Sequence, residues 1–251
     1  MAFLGALTFL TRMPLRLRRP PELTAAVAWF AVVGALVGAL VGGVAAGLGE
    51  LVPAFVAGTV AVLVGVLTTG AFHEDGLADV ADAFAGGWTP EQRLTILDDP
   101  RHGTYGVAAL AGSLVLRAGT LASLVSVGPA VAFAGAVTAH TVARASAVGL
   151  MAFLPTARRD GLGVDYVHDL ARTRVAAAVL SGLAIGGAAT GWWIVPVAAA
   201  GIVAAACTGW LAMRKIGGIS GDVLGATEQV AECLALVVVS GLALHHQLWW
   251  G

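Results

Sequence analysis

Seven apolar stretches alternate with short polar ones along this chain. The first thirteen residues, MAFLGALTFLTRM, are apolar but too short to cross a bilayer. Pro14 ends them, so they read as an interfacial or re-entrant helix. Seven stretches near the length of a transmembrane helix follow, at about Leu23–Leu48, Pro53–Phe72, Val107–Val127, Val131–Leu154, Val175–Thr190, Trp192–Met213 and Val230–Leu248. The polar intervals that matter are 73–105, 155–174 and 214–229. The pattern predicts an all-α, polytopic helical bundle of about seven spans, forming one integral-membrane domain over residues 1–251.

Composition agrees with the pattern. Only 12% of residues are charged and 58% are hydrophobic, where a soluble domain carries about 25% charged residues. A net charge of −1 argues against a nucleic-acid partner. With seven spans, the N-terminus and the three polar intervals share one side of the membrane. Every Lys and Arg except Arg117 and Arg144 lies there, including Arg12, Arg16, Arg18 and Arg19 and the loop residues Arg158, Arg159, Arg172 and Arg174. The positive-inside rule makes that side the cytoplasm of a multi-pass cell-membrane protein. Trp192, Trp193, Trp249 and Trp250 read as interfacial anchors, and Cys207 and Cys233 as reduced, buried thiols. Gly34, Gly38 and Gly42 form a small-residue stripe that suits either a homo-oligomer contact or an internal helix pair.

Candidate chemistry concentrates in AFHEDGLADVADAFAGGWTPEQRLTILDDPRHGTYG, residues 71–106. Asp75, Asp79 and Asp82 fall at i, i+4 and i+7, on one face of a helix. Carboxylates that close repel one another unless a cation lies between them, so the face reads as a divalent-cation site, against the plainer reading of a solvated amphipathic helix. His73 reads as a base, a ligand or a boundary imidazole, and Glu74 as an additional ligand or, more simply, a boundary carboxylate. Asp160, Asp165 and Asp169 lie in the second polar loop. In RHGTYG, Arg101 and the amides around Gly103 and Gly106 suit either a phosphate or an ordinary loop-to-helix turn. In the third loop, Arg214, Lys215, Gly217, Gly218, Gly221 and Gly225 surround a single Asp222, which suits a phosphate-and-metal turn or a basic membrane flank. Arg144 lies midway along a span one turn after His140; a guanidinium there needs a partner, either substrate phosphate or a protein acid, and Arg117 and Glu232 pose the same question. Acids, glycine turns and arginines on one membrane face argue for metal-assisted phosphoryl transfer.

Three segments, FHEDGLADVADAFAGG, ILDDPRHGTYG and GGISGDVLGATEQVAE, resemble in order and spacing the signatures of the cobalamin synthase (adenosylcobinamide-GDP ribazoletransferase) family, with FLTRMP and VARASAVGLM as weaker echoes. The resemblance implies transfer of the cobinamide phosphate of adenosylcobinamide-GDP to α-ribazole or its 5′-phosphate, with release of GMP. It implies Mg²⁺ as cofactor, with Mn²⁺ as a substitute. Carried over residue by residue, it implies Asp75, Asp79, Asp82, Asp99 and Asp222 as metal ligands and His73, Asp82 and Arg101 as catalytic groups. Arg12, Gly103, Arg144, Arg214, Lys215, Gly218 and Gly221 are then the candidates for substrate contact. Glu74 departs from the family pattern, which has an apolar residue there. A CDP-alcohol-type phosphotransferase and a transporter are the rival readings; the first lacks its arginine motif after Gly76, and the second places acids at mid-span rather than at the boundary.

Overall fold

The computed structural model describes residues 1–15, 22–157 and 170–250. Arg16, Arg18 and Arg19, and the loop charges Arg158, Arg159, Asp160, Asp165 and Asp169, lie outside the described residues. The described chain is helical: α1 (Ala2–Leu10), α2 (Leu23–Val27), α3 (Phe30–Gly49), α4 (Ala54–Thr69), α5 (Phe72–Gly86), α6 (Pro90–Leu97), α7 (Thr104–Val127), α8 (Pro129–Met151), α9 (Arg172–Thr190), α10 (Ile194–Ile216) and α11 (Gly221–Ala243). An isolated parallel bridge joins Thr156 to Ile219.

Among the described residues, five helical units are long and apolar enough to cross a membrane, and a sixth is reached if α4 and α5 together are one broken span. In that count Arg172–Ile216 is a single unit of 45 residues. It folds back at Gly191, whose φ of +62° is open to glycine. Gly182 of α9 approaches Ala145 and Thr141 while Gly186 approaches Thr138, so α9 runs against α8; Gly201 and Gly209 of α10 face Val142 and Leu150, so α10 runs with it. The apolar stretches read from the sequence fall on α3, α4 and α7–α11. Between α4 and α5 the chain bends by 91° at Gly70 and Ala71, both left-handed, and α5 leaves the direction of the spans. A side chain on Gly70 would overlap that of Arg12, which therefore sits at this bend.

α8 is the axis of the bundle. Its sequence, PAVAFAGAVTAHTVARASAVGLM, is made mostly of small residues and is buried on nearly every side, which lets α3, α7, α9, α10 and α11 all approach it. The Gly34-Gly38-Gly42 stripe belongs to this packing. A Cβ on Gly38 would stand 2.7 Å from the Ala136 carbonyl oxygen, and one on Gly42 2.8 Å from Phe133 Cα. Of the two uses open to the stripe, the structure shows the internal helix pair.

Three local expectations are corrected. Trp193 is not an interfacial anchor but a core residue, 1% exposed, while Trp192 is exposed. Cys207 faces outward, and only Cys233 is buried. The third polar segment is a loop only at 217–220, because α11 begins at Gly221 and carries Glu228 and Gln229 into the bundle. Hydropathy marks those residues as polar without telling solvent from a buried polar network.

The stripe provides a test. Gly38→Leu forces a side chain into the α8 backbone and should cost about 3 kcal/mol, lowering the melting temperature in detergent. Gly43→Leu, on the same helix with nothing within 4 Å of the new Cβ, should melt like the parent.

Candidate active site

Two tiers of charge meet where α5 crosses the start of α11. The crossing is set by glycine: a Cβ on Gly76 would lie 2.8 Å from the Asp222 carbonyl oxygen and 3.1 Å from its Cα. Opposite it, Gly225 meets His73 and Gly76 at ordinary contact distance. The first and third acidic segments, far apart in sequence, are thus held face to face.

The outer tier holds Asp75, Asp79 and His102. His102 Nε2 lies 3.4 Å from Asp75 Oδ1, and its Nδ1 lies 3.3 Å from Asp79 Oδ1. All three offer ligand atoms within 4.8 Å of one another. His102 was not singled out from the sequence, although it stands inside the RHGTYG turn. Burial pushes the Asp79 carboxyl up to about 6, helped next by the negative charges of Asp75 and Asp222. With Asp75 and Asp222 near Asp79, this corner favours a positive charge. Its oxygen-rich donor set fits a hard divalent cation, and the imidazole extends the fit to Mn²⁺.

Asp82 is placed differently from its two neighbours. Its Oδ2 accepts from the Gly103 amide at 2.6 Å and its Oδ1 from the Gly106 amide at 2.9 Å. The anion received by the glycine-punctuated start of α7 is therefore the Asp82 carboxylate, which caps that helix and complements its dipole. Asp99 is engaged too: Arg101 forks onto it with Nε at 2.8 Å and Nη2 at 2.7 Å, and this pairing holds the half-buried Asp99 carboxyl down at about 2. Arg101 is 85% exposed.

The third segment's cations and glycines also find structural work. Lys215 Nζ donates to the Phe84 carbonyl at 3.0 Å, near the end of α5, and Arg93 of α6 donates to the Lys215 carbonyl at 3.0 Å. Arg214 lies over the Trp210 ring. Gly217, at φ +76°, ends α10. Gly218 backs onto residues 155–157, where Ile219 donates to the Pro155 carbonyl and accepts from the Ala157 amide, both at 2.8 Å. Ser220 caps α11 and donates to Asp222 Oδ2 at 3.2 Å. Gly221 is the open position, with nothing within 4 Å of a Cβ built on it.

The inner tier lies within the bundle. Arg117 of α7 donates to Glu74 Oε1 at 2.9 Å and to Glu232 Oε1 at 3.2 Å. His140 Nδ1 lies 3.0 Å from Glu232 Oε2, Arg144 Nη1 lies 2.6 Å from Glu228 Oε1, and His73 Nδ1 lies 3.6 Å from Glu228 Oε2. Gln229 bridges Glu74 and Glu228 and accepts from Ser113. Glu74 is therefore not a boundary carboxylate but the partner of Arg117, and Arg144 is paired with a protein acid. His73 likewise points into this tier and away from the outer one. Gly34 makes room for Arg144, whose Cδ would stand 2.5 Å from a Cβ there.

Fold and site together define a polytopic membrane protein with a buried ion-pair network and an acidic, metal-suited rim. The chain matches the family described as cobalamin-5-phosphate synthase over residues 2–240. It is similar to the adenosylcobinamide-GDP ribazoletransferases of Mesorhizobium japonicum (36% identity; 93% of this chain, 90% of the relative) and Shewanella sp. strain W3-18-1 (35%; 94% and 92%). That of Chlorobaculum tepidum is 34% identical, over 97% of this chain and 96% of the relative. No solved structure matches. The chain belongs to the cobalamin-5-phosphate synthase family, whose enzymes act in cobalamin biosynthesis.

Each tier makes a prediction. Arg117→Met leaves Glu74 and Glu232 buried without their cation and should cost about 3–5 kcal/mol; replacing all three by apolar residues should restore most of it, both read from melting in detergent. Because Asp79 titrates above its unfolded value of 3.8, its contribution to stability is full below that pH and is lost as pH rises through about 6. Metal-free protein should therefore lose melting temperature across that window, and Asp79→Asn should flatten the loss.

Proposed function

We propose that this chain is an adenosylcobinamide-GDP ribazoletransferase with its catalytic rim facing the cytoplasm of the cell membrane. A ribose hydroxyl oxygen of α-ribazole, or of its 5′-phosphate, attacks the phosphorus bonded to cobinamide. The new P–O bond forms as the bond to the bridging pyrophosphate oxygen breaks, GMP leaves, and the hydroxyl proton is given up. The observation that carries the proposal is the convergence of Asp75, Asp79 and His102 into one group of metal-suited donors, with Asp222 from a segment far apart in sequence held beside it.

Asp75 and Asp79, with Asp222 and His102 beside them, would hold Mg²⁺, which when bound supplies charge neutralisation at the pyrophosphate. Asp82 sets the start of α7 so that His102 and Arg101 are presented to the rim. Arg101 exchanges its fork on Asp99 for a substrate phosphate, a change open to a guanidinium that is largely in water. The hydroxyl proton is taken up within the outer tier, by a group that the cation leaves free. His73, buried against Glu228, positions α5. The family membership favours this reading over a CDP-alcohol phosphotransferase, and the acids at the rim favour it over a transporter.

Sealed membrane vesicles test activity and orientation together. Inside-out vesicles given adenosylcobinamide-GDP, α-ribazole and Mg²⁺ should release cobalamin and GMP in equal amounts, and right-side-out vesicles should not. Asp75→Asn should lower turnover by about 100-fold or more, beyond what an outer-shell partner costs, with melting retained. Parental turnover in that variant would sink the metal assignment, and product from right-side-out vesicles would reverse the orientation.

A further inference from the structure

A second feature of the bundle stands apart from the charged tiers. Between α8, α9 and α10 lies an open cavity of about 670 Å³, walled by apolar side chains such as Phe153, Leu183, Ile202 and Trp210. Its polar lining residue, Ser146, already donates its hydroxyl to the Val142 carbonyl at 2.8 Å. An occupant therefore meets hydrocarbon and no group that needs a hydrogen bond.

The shape of the cavity selects the occupant. Along α10 the lining runs from Ala198 to Met213, which at 1.5 Å per residue is about 22 Å. One leaflet of hydrocarbon is about 15 Å deep, so the cavity reaches a leaflet's depth and somewhat beyond. An acyl chain, whose length is set by the same leaflet, matches that depth. The end near Met213 lies on the same side as the acidic rim, because Lys215 reaches the Phe84 carbonyl of α5. There the exposed Arg214 stands over the ring of Trp210, 5.0 Å from its centroid. A cation at the mouth of an apolar slot, level with the headgroups, complements an anionic head.

We propose that this slot binds one anionic phospholipid of the leaflet on the acidic side, an acyl chain lying between α8, α9 and α10 and the phosphate on Arg214. The site adjoins the rim through α10, which ends at Gly217 and leads through the 217–220 turn to Asp222. A lipid seated there braces the helix from which the third acidic segment departs.

Native mass spectrometry of the detergent-purified full chain, titrated with phosphatidylglycerol or phosphatidylcholine of identical acyl chains, tests this. The parent should bind one phosphatidylglycerol about fivefold more tightly than phosphatidylcholine, the effect of one cation at a membrane surface. Arg214→Gln should abolish that difference while still binding one lipid. Gly149→Phe puts a ring into the slot from a position where a new Cβ meets nothing within 4 Å. It should lose the first lipid at an unchanged melting temperature. Equal affinity of the parent for both headgroups would overturn the proposal. So would parental lipid binding by Gly149→Phe, or a protein dimer that excludes lipid from the slot.

Discussion

The buried contact of Arg117 with Glu74 and Glu232, together with that of Arg144 with Glu228, is the constraint around which the rest of the molecule is arranged. Ions without water around them are tolerable only when each finds a partner in good geometry. The partners here come from four helices: Glu74 from α5, Arg117 from α7, Arg144 and His140 from α8, Glu228 and Glu232 from α11. Apolar packing within a bilayer is weakly directional, since lipid is as apolar as the side chains it replaces. Charged pairs supply the direction. Sliding any one of these helices by a turn would strand a carboxylate or a guanidinium, so the network fixes their register.

That register places the rim. Glu74 and Asp75 are adjacent on α5, one turned inward onto Arg117 and the other outward to His102. Glu228 and Asp222 stand in the same relation on α11, with Asp222 in the first turn and Glu228 buried below it. Each helix thus carries an inner acid set in the buried ion-pair network and an outer acid at the rim. The inner pairs hold the outer carboxylates near one another against their repulsion, which adds to burial in raising the Asp79 carboxyl. The Gly76–Gly225 crossing brings the two backbones close enough for this to matter.

Much of this was legible in the sequence. The apolar stretches located the helices, and the i, i+4, i+7 spacing put Asp75, Asp79 and Asp82 on one face. What the spacing could not show is what each of them meets. Asp82 caps α7 because residues 103–106 return beside it, 21 positions later for Gly103, and nothing local announces that return. The reason for Glu74 lies 43 positions away at Arg117. The better signal was the set of opposite charges inside apolar stretches, Arg117, Arg144 and Glu232. Charges of both signs at such depth imply one another, and with Glu228 read as helix rather than loop the network would have followed. Trp193 and Cys207 failed for a simpler reason: in a helix that faces both lipid and protein, hydropathy does not say which side a residue takes.

The two tiers also separate stability from chemistry. Electrostatic strain that serves a reaction has to be left uncompensated until substrate or cation arrives, and such strain destabilises the fold that carries it. In this bundle the acids assigned to the chemistry lie at the rim, on a helix that leaves the span direction by 91° and in the first turn of another. The Arg-paired acids below them carry the register of the core. Outer acids can then repel one another, bind and release a cation, and exchange phosphate partners without loosening the helices, because the groups that hold the helices together take no part in those changes.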